Sequence, residues 1–182
     1  MPKENPMILQ ATTQCCSRGL TFIGVLLTIF GCFGNDAHAE QLRNWPTVSK
    51  GEVDETNVRV EMVQWLLRSH GYHVTIDGHY GNQTQYLVQH FQKSNHLKIT
   101  GAVDRITWRK LIVILAPGSN GASVYAAQIP LKEMADGRLS LNGRFDIQTA
   151  CAVRIFQRQY GLKANGVVGT ATWLCLTNNI YD

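Results

Sequence analysis

From residue 57 onward, apolar side chains recur at spacings of three and four in short stretches separated by glycine-bearing turns. This is the signature of short amphipathic helices. Asn57 is placed to cap a first helix carrying Val60, Val63 and Leu67, and Gly71 to end it. Ile76-Asp77-Gly78-His79-Tyr80-Gly81 has the composition of a turn. A second helix, starting near Gln83, aligns Thr84, Leu87, Val88 and Phe91. After a loop at Thr100-Gly101, Asp104 is the predicted cap of a third helix with Trp108, Leu111, Ile112 and Leu115 along one stripe. The second half repeats the pattern with Thr149, Val153, Phe156 and Tyr160, then Thr170 as cap before Trp173, Leu176 and Ile180. Pro130 falls inside the first helix of that half, where it is expected to shorten or kink it.

The halves are copies of one unit. At an offset of 65 residues, Asp77 to Leu111 lies over Asn142 to Leu176 without a gap, and 13 of the 35 pairs are identical, from Gly78/Gly143 to Leu111/Leu176. One inserted residue extends the match upstream to Val60/Val124 and Gln64/Gln128. The predicted fold is therefore all-α, with two tandem three-helix units at 57–115 and 122–182. Ala116-Pro117-Gly118-Ser119-Asn120-Gly121 between them reads as a linker.

The N-terminus follows a different pattern. Lys3 and Arg18 precede an apolar run from Leu20 to Phe33, and Ala37-His38-Ala39 offers small residues where a signal peptidase cuts. Residues 1–39 read as a signal peptide and 40–56 as a leader, so the expected destination is the periplasm, cell wall or extracellular space. A retained anchor helix or a lipid on Cys32 are the alternatives. Cleavage before Glu40 leaves two of the five cysteines, Cys151 and Cys175, either a disulfide or two buried thiols. It leaves the net charge at +4. With Lys and Arg scattered, no nucleic-acid surface is indicated.

The residues in the turns and second helices carry a resemblance. The string D-G-x-Y-G-x-x-T-x-x-x-V-x-x-F-Q at Asp77 to Gln92, followed by x-L-x-x-x-G-x-V-D-x-x-T-W-x-x-L ending at Leu111, resembles the helical peptidoglycan-binding domain that accompanies bacterial and phage cell-wall hydrolases. Asn142 to Leu176 is a second match. It departs from the pattern at Asn142, Asp146 and Gly169, so copy one is the better candidate for binding. The resemblance implies noncatalytic attachment to peptidoglycan through a shallow groove. That polymer calls for amides, hydroxyls, aromatic faces and a mild positive field. His79, Tyr80, Gln83, Thr84 and Gln92 offer this in copy one, and Arg144, Phe145, Gln148, Thr149 and Gln157 in copy two. The same residue types serve structure equally well: Thr84 and Thr149 by buttressing the second helix, Gln92 and Gln157 by bonding a loop carbonyl. Phe91, Trp108, Phe156 and Trp173 are expected in the core.

Catalytic chemistry finds no constellation. His70, His73, His79, His90 and His96 all fall in copy one, without metal-ligand spacing, whereas Cys151 and Cys175 fall in the copy that lacks histidine. The glutamates lie in the leader or on first helices, where no paired-carboxyl cleft is expected. No metal or cofactor is implied. The competing readings are a wall-binding protein, a small cell-wall hydrolase of amidase or peptidase type, and an adaptor recruiting such an enzyme.

Overall fold

The computed structural model describes residues 44–51, 57–134 and 138–178. The expected signal segment, with Cys32 and the cleavage point, lies outside them, as does Ile180. Six helices follow in order: α1 Val58–Ser69, α2 Asn82–Ser94, α3 Arg105–Leu111, α4 Ala122–Met134, α5 Ile147–Gln159 and α6 Thr170–Asn178. The described residues contain no strand, only three isolated antiparallel bridges.

Helix ends recur between the copies. At the end of α1, Tyr72 N–H bonds the Leu67 carbonyl and Gly71 N–H that of Arg68, with Gly71 at φ 85°. This double closure satisfies the last carbonyls of the helix. Leu162 and Gly161 repeat it after α5, and Leu97 and His96 after α2. His96 thus occupies a left-handed position, at φ 56°, that glycine fills in the other copy.

Several expected boundaries move. Asn57 stands at the start of α1 but at φ 58°, and its side chain makes no capping bond. Asp104 does cap α3, accepting from Thr107 N–H at 2.8 Å. Thr170 is the first residue of α6 and not its cap, and Gly169 supplies the carbonyl that Trp173 N–H bonds. The α3 stripe stops at Leu111, because Ile112 turns extended and Leu115 exchanges two backbone bonds with Val168. Pro130 does not shorten α4, which runs 13 residues against the 12 of α1. Tertiary packing, and not propensity, holds that helix.

The segments before α1 and α4 are parts of the units. Val48 exchanges backbone bonds with Val103 as Leu115 does with Val168. Trp108 Nε1 donates to the Pro46 carbonyl at 2.8 Å, and Trp173 Nε1 to the Val113 carbonyl at 2.7 Å. Trp45 also stacks on Trp108. The expected leader therefore contributes a clasp to copy one, and the expected linker is pinned to copy two through Gly118, Ser119 and Gly121. A buried indole N–H needs an acceptor, and the preceding chain provides it.

The two copies share one core, running from Val48 to Leu176. Their main contact is α1 against α4. Met62 and Leu66 are buried together with the Val60, Val63 and Leu67 stripe, as a helix packed on two sides requires. Arg59 Nε also donates to the Thr177 carbonyl at 2.7 Å, joining α1 to the end of α6.

Candidate functional site

Two buried glutamines organise each copy. Gln64 on α1 donates to Asp77 Oδ1, the His79 carbonyl and Thr84 Oγ1, while its Oε1 accepts from the N–H groups of Asp77 and Gly78. Gln128 makes the same set with Asn142, Arg144, Thr149 and Gly143. Gln92 on α2 ties the next loop to α3 through Thr100, Gly101, Ala102 and Thr107. Gln157 does so through Asn165, Gly166, Val167 and Thr172. No buried side-chain nitrogen or oxygen among the described residues lacks a partner.

These networks sort the ten sequence candidates. Tyr80, Thr84, Gln92, Phe145, Thr149 and Gln157 are buried. Apart from Phe145, whose ring is apolar, their polar side-chain atoms are aimed at the protein's own backbone and side chains, so they shape the surface from beneath. The Tyr80 hydroxyl donates to the Gly101 carbonyl at 2.8 Å, and burial pushes its pKa well above the ordinary phenol range. His79, Gln83, Arg144 and Gln148 are exposed.

Copy two is less degenerate than its substitutions imply. Asn142 Oδ1 takes over the role of Asp77 Oδ1, accepting from Gln128 and from Arg144 N–H. Asp146 replaces a turn glycine and caps α5, accepting from Thr149 N–H at 2.9 Å. Partial burial raises its carboxyl pKa, but hydrogen bonds from Thr149 and Asn142 outweigh this and leave it lowered. The Asp77 carboxyl is lowered first by the His79 N–H and then by Gln64.

Of the two alternatives for Cys151 and Cys175, a bridge or two thiols, the structure bears on Cys175 alone. Cys175 is a thiol turned into the core, its pKa pushed up to about 11 by burial. Cys151 is half-buried on α5.

A surface groove of about 540 Å³ opens beside the turn of copy one. Trp65 and Arg68 from the end of α1, the segment His73–Ile76, and Gln83 from the first turn of α2 line it. Gln83 Oε1 accepts from Thr75 N–H at 3.3 Å. Tyr125 of α4 stacks on Trp65 from the second copy. Sequence comparison between the copies missed Trp65, because Ile129 stands opposite it in the alignment and only identical pairs were informative. Arg68 was missed because its partner in that alignment is Lys132. Of the ten candidates, Gln83 is the one the groove brings in.

Among the described residues, no three His, Cys, Asp or Glu side chains converge as a metal site would require, and no helix is long and apolar enough to cross a membrane. Glu61, on α1, has its carboxyl pKa raised by burial and then by Glu133 of α4.

Two three-helix units on a shared core, with a polar groove on one of them, define a tandem helical repeat protein. The family model of the peptidoglycan binding domain matches the chain twice, at residues 56–111 and 120–176, and the chain belongs to that family. A stretch of 68 residues, 37% of the chain, is 35% identical to an uncharacterized protein of Bacillus subtilis (strain 168), FadG, and covers 12% of that protein's length. No solved structure matches the chain.

Proposed function

We propose that this protein is exported and binds peptidoglycan noncatalytically through the groove of copy one, with Gln83, Thr75, His73 and Arg68 as the ligand contacts. The single observation that carries the reading is the groove itself. On a unit of the peptidoglycan-binding family, it gathers an amide, a hydroxyl, an imidazole and a guanidinium around an aromatic wall, with no acidic residue among the described residues that line it. Such a surface hydrogen-bonds a polymer of amides, hydroxyls and carboxylates. Copy two places Ile129 where copy one has Trp65. It serves as scaffold and as a second, weaker contact through Arg144 and Gln148.

Sedimentation with insoluble peptidoglycan tests the reading. The wild-type protein is expected in the pellet, Gln83→Ala is expected to weaken pelleting, and Gln148→Ala to weaken it less. Turbidity of a wall suspension is expected to stay constant with added protein, and clearing would favour a hydrolase. Intact mass of the exported chain tests export, with Glu40 expected as first residue.

A further inference from the structure

One end of the groove is a fixed cation. Arg68 lies in the last turn of α1, its Nη2 donating to the Val74 carbonyl at 2.6 Å and its guanidinium carbon 5.1 Å from the centroid of the Trp65 ring. A carbonyl on one side and an aromatic ring beneath restrict a side chain that is otherwise among the most mobile. The Trp65 ring is in turn stacked on Tyr125 at 4.5 Å. Its faces therefore support the cation and the neighbouring copy more than they offer bare surface to a sugar.

The guanidinium carries five N–H donors in a planar fork. Within the described residues only the bond to Val74 engages them, and no carboxylate pairs with Arg68. Among the described residues, no Asp or Glu lines the groove. Next to this cation stand neutral groups suited to a peptide: the Gln83 amide, the Thr75 hydroxyl and the His73 ring. An arginine fork held in place gains two charge-assisted bonds from a carboxylate and one weaker bond from a hydroxyl.

We propose that Arg68 reads an ionised carboxyl group of the wall's stem peptides, so that the groove recognises the peptide part of peptidoglycan and not its neutral glycan. The assignment rests on the reading of the groove as the peptidoglycan site. The test uses peptidoglycan stripped of phosphate polymers, and the same material with its free carboxyls converted to carboxamides. Wild-type protein is expected to bind the amidated wall about tenfold or more weakly, the scale of a lost charged hydrogen bond. Arg68→Gln is expected to bind native wall with a similar loss and to be indifferent to amidation. Arg68→Lys, which keeps charge without the fork, should fall between. Arg158→Gln, on exposed α5, controls for net charge and should behave as wild type.

Equal binding of native and amidated wall by the wild type would overturn the carboxylate assignment alone. So would an Arg68→Gln protein that still loses tenfold on amidation, since the carboxyl would then be read elsewhere. Displacement from native wall by inorganic phosphate, without an amidation effect, would assign the fork to phosphate instead. A wild type that pellets with neither wall would overturn the groove reading together with this one. The amidation arm needs no variant, so it holds even if Arg68→Gln loosens the Val74 loop.

Discussion

The indole of Trp65 in the first copy lies flat on the phenol ring of Tyr125 in the second, with 4.5 Å between centroids and 13° between planes. Tyr125 is seated on Gly143, where a Cβ would come within 2.3 Å of its Cε2 atom, at a φ of +64° that disfavours any side chain. The equivalent glycine of copy one, Gly78, faces Asn57 and Glu61 instead. A wall of the copy-one groove is thus held from copy two. Tyr125→Ala removes an aromatic pair worth roughly 0.5–1.5 kcal/mol beyond its buried area. The expected result is a lower melting temperature, red-shifted tryptophan emission and weaker peptidoglycan pelleting, with Tyr125→Phe close to wild type. Gly143→Ala should reproduce the Tyr125→Ala result from the other side of the ring. Unchanged pelleting by both variants would show that the groove does not depend on the brace.

Gln92 and Gln83 separate stability from binding. Gln92 is buried, and Gln92→Ala removes the acceptor of the exposed Thr100 N–H and strands that of the buried Gly101. Each buried donor left without a partner costs about 1–3 kcal/mol. Thermal denaturation should show a large loss for Gln92→Ala and little change for the exposed Gln83→Ala, while pelleting should weaken for Gln83→Ala. Tyr80→Ala belongs with Gln92, because it empties a buried aromatic site.

Gly81 precedes α2 at φ −86°, ψ −169°, with no atom within 4 Å of the point where a Cβ would stand, and its helix has no side-chain cap. Asp146 fills the matching place before α5 and accepts from Thr149 N–H. Gly81→Asp should therefore stabilise copy one by about 0.5–1 kcal/mol, through a new cap and a less flexible unfolded chain. Chemical denaturation would read this as a higher midpoint at constant slope. A lower midpoint would show that the α2 entry does not tolerate the carboxylate.

His96 holds a left-handed φ of 56° at an exposed position, and copy two places Gly161 there at φ 65°. A non-glycine residue in this region costs about 1–2 kcal/mol, partly offset by the greater unfolded entropy of glycine. His96→Gly should raise stability by roughly 0.5 kcal/mol, and Gly161→His should lower it. Paired melting curves of the two variants check the signs.

Cys175 binds its proton more tightly when folded, with a pKa pushed up from 9.0 to about 11 by burial. Its contribution to stability is complete below pH 9 and is lost as pH rises towards 11. Tyr80 is shifted in the same direction. Denaturation midpoints should therefore fall on the alkaline side, and Cys175→Ser should flatten the part of that fall near pH 9–11. In folded protein at pH 8, maleimide should label Cys175 slowly, and unfolding should release it.

The periodicities of Val60, Val63 and Leu67 and of Val153 and Phe156, the glycine stops and the 65-residue self-match determined six helices in two copies, because helix formation and chain reversal depend on neighbours close in sequence. The family motif was legible for the same reason. The roles of Thr84, Gln92, Thr149 and Gln157 were not, since an amide or hydroxyl suits a ligand and a buried loop equally, and only burial in the tertiary structure separates them. Tertiary structure also decided that Pro46 and Val113 receive the two tryptophan N–H groups, and that Cys175 faces inward, away from any bridge to Cys151. It alone brought Tyr125 to Trp65 across a sequence separation of sixty residues, since a contact between helices is fixed by the packing of whole faces and leaves no local trace in the chain.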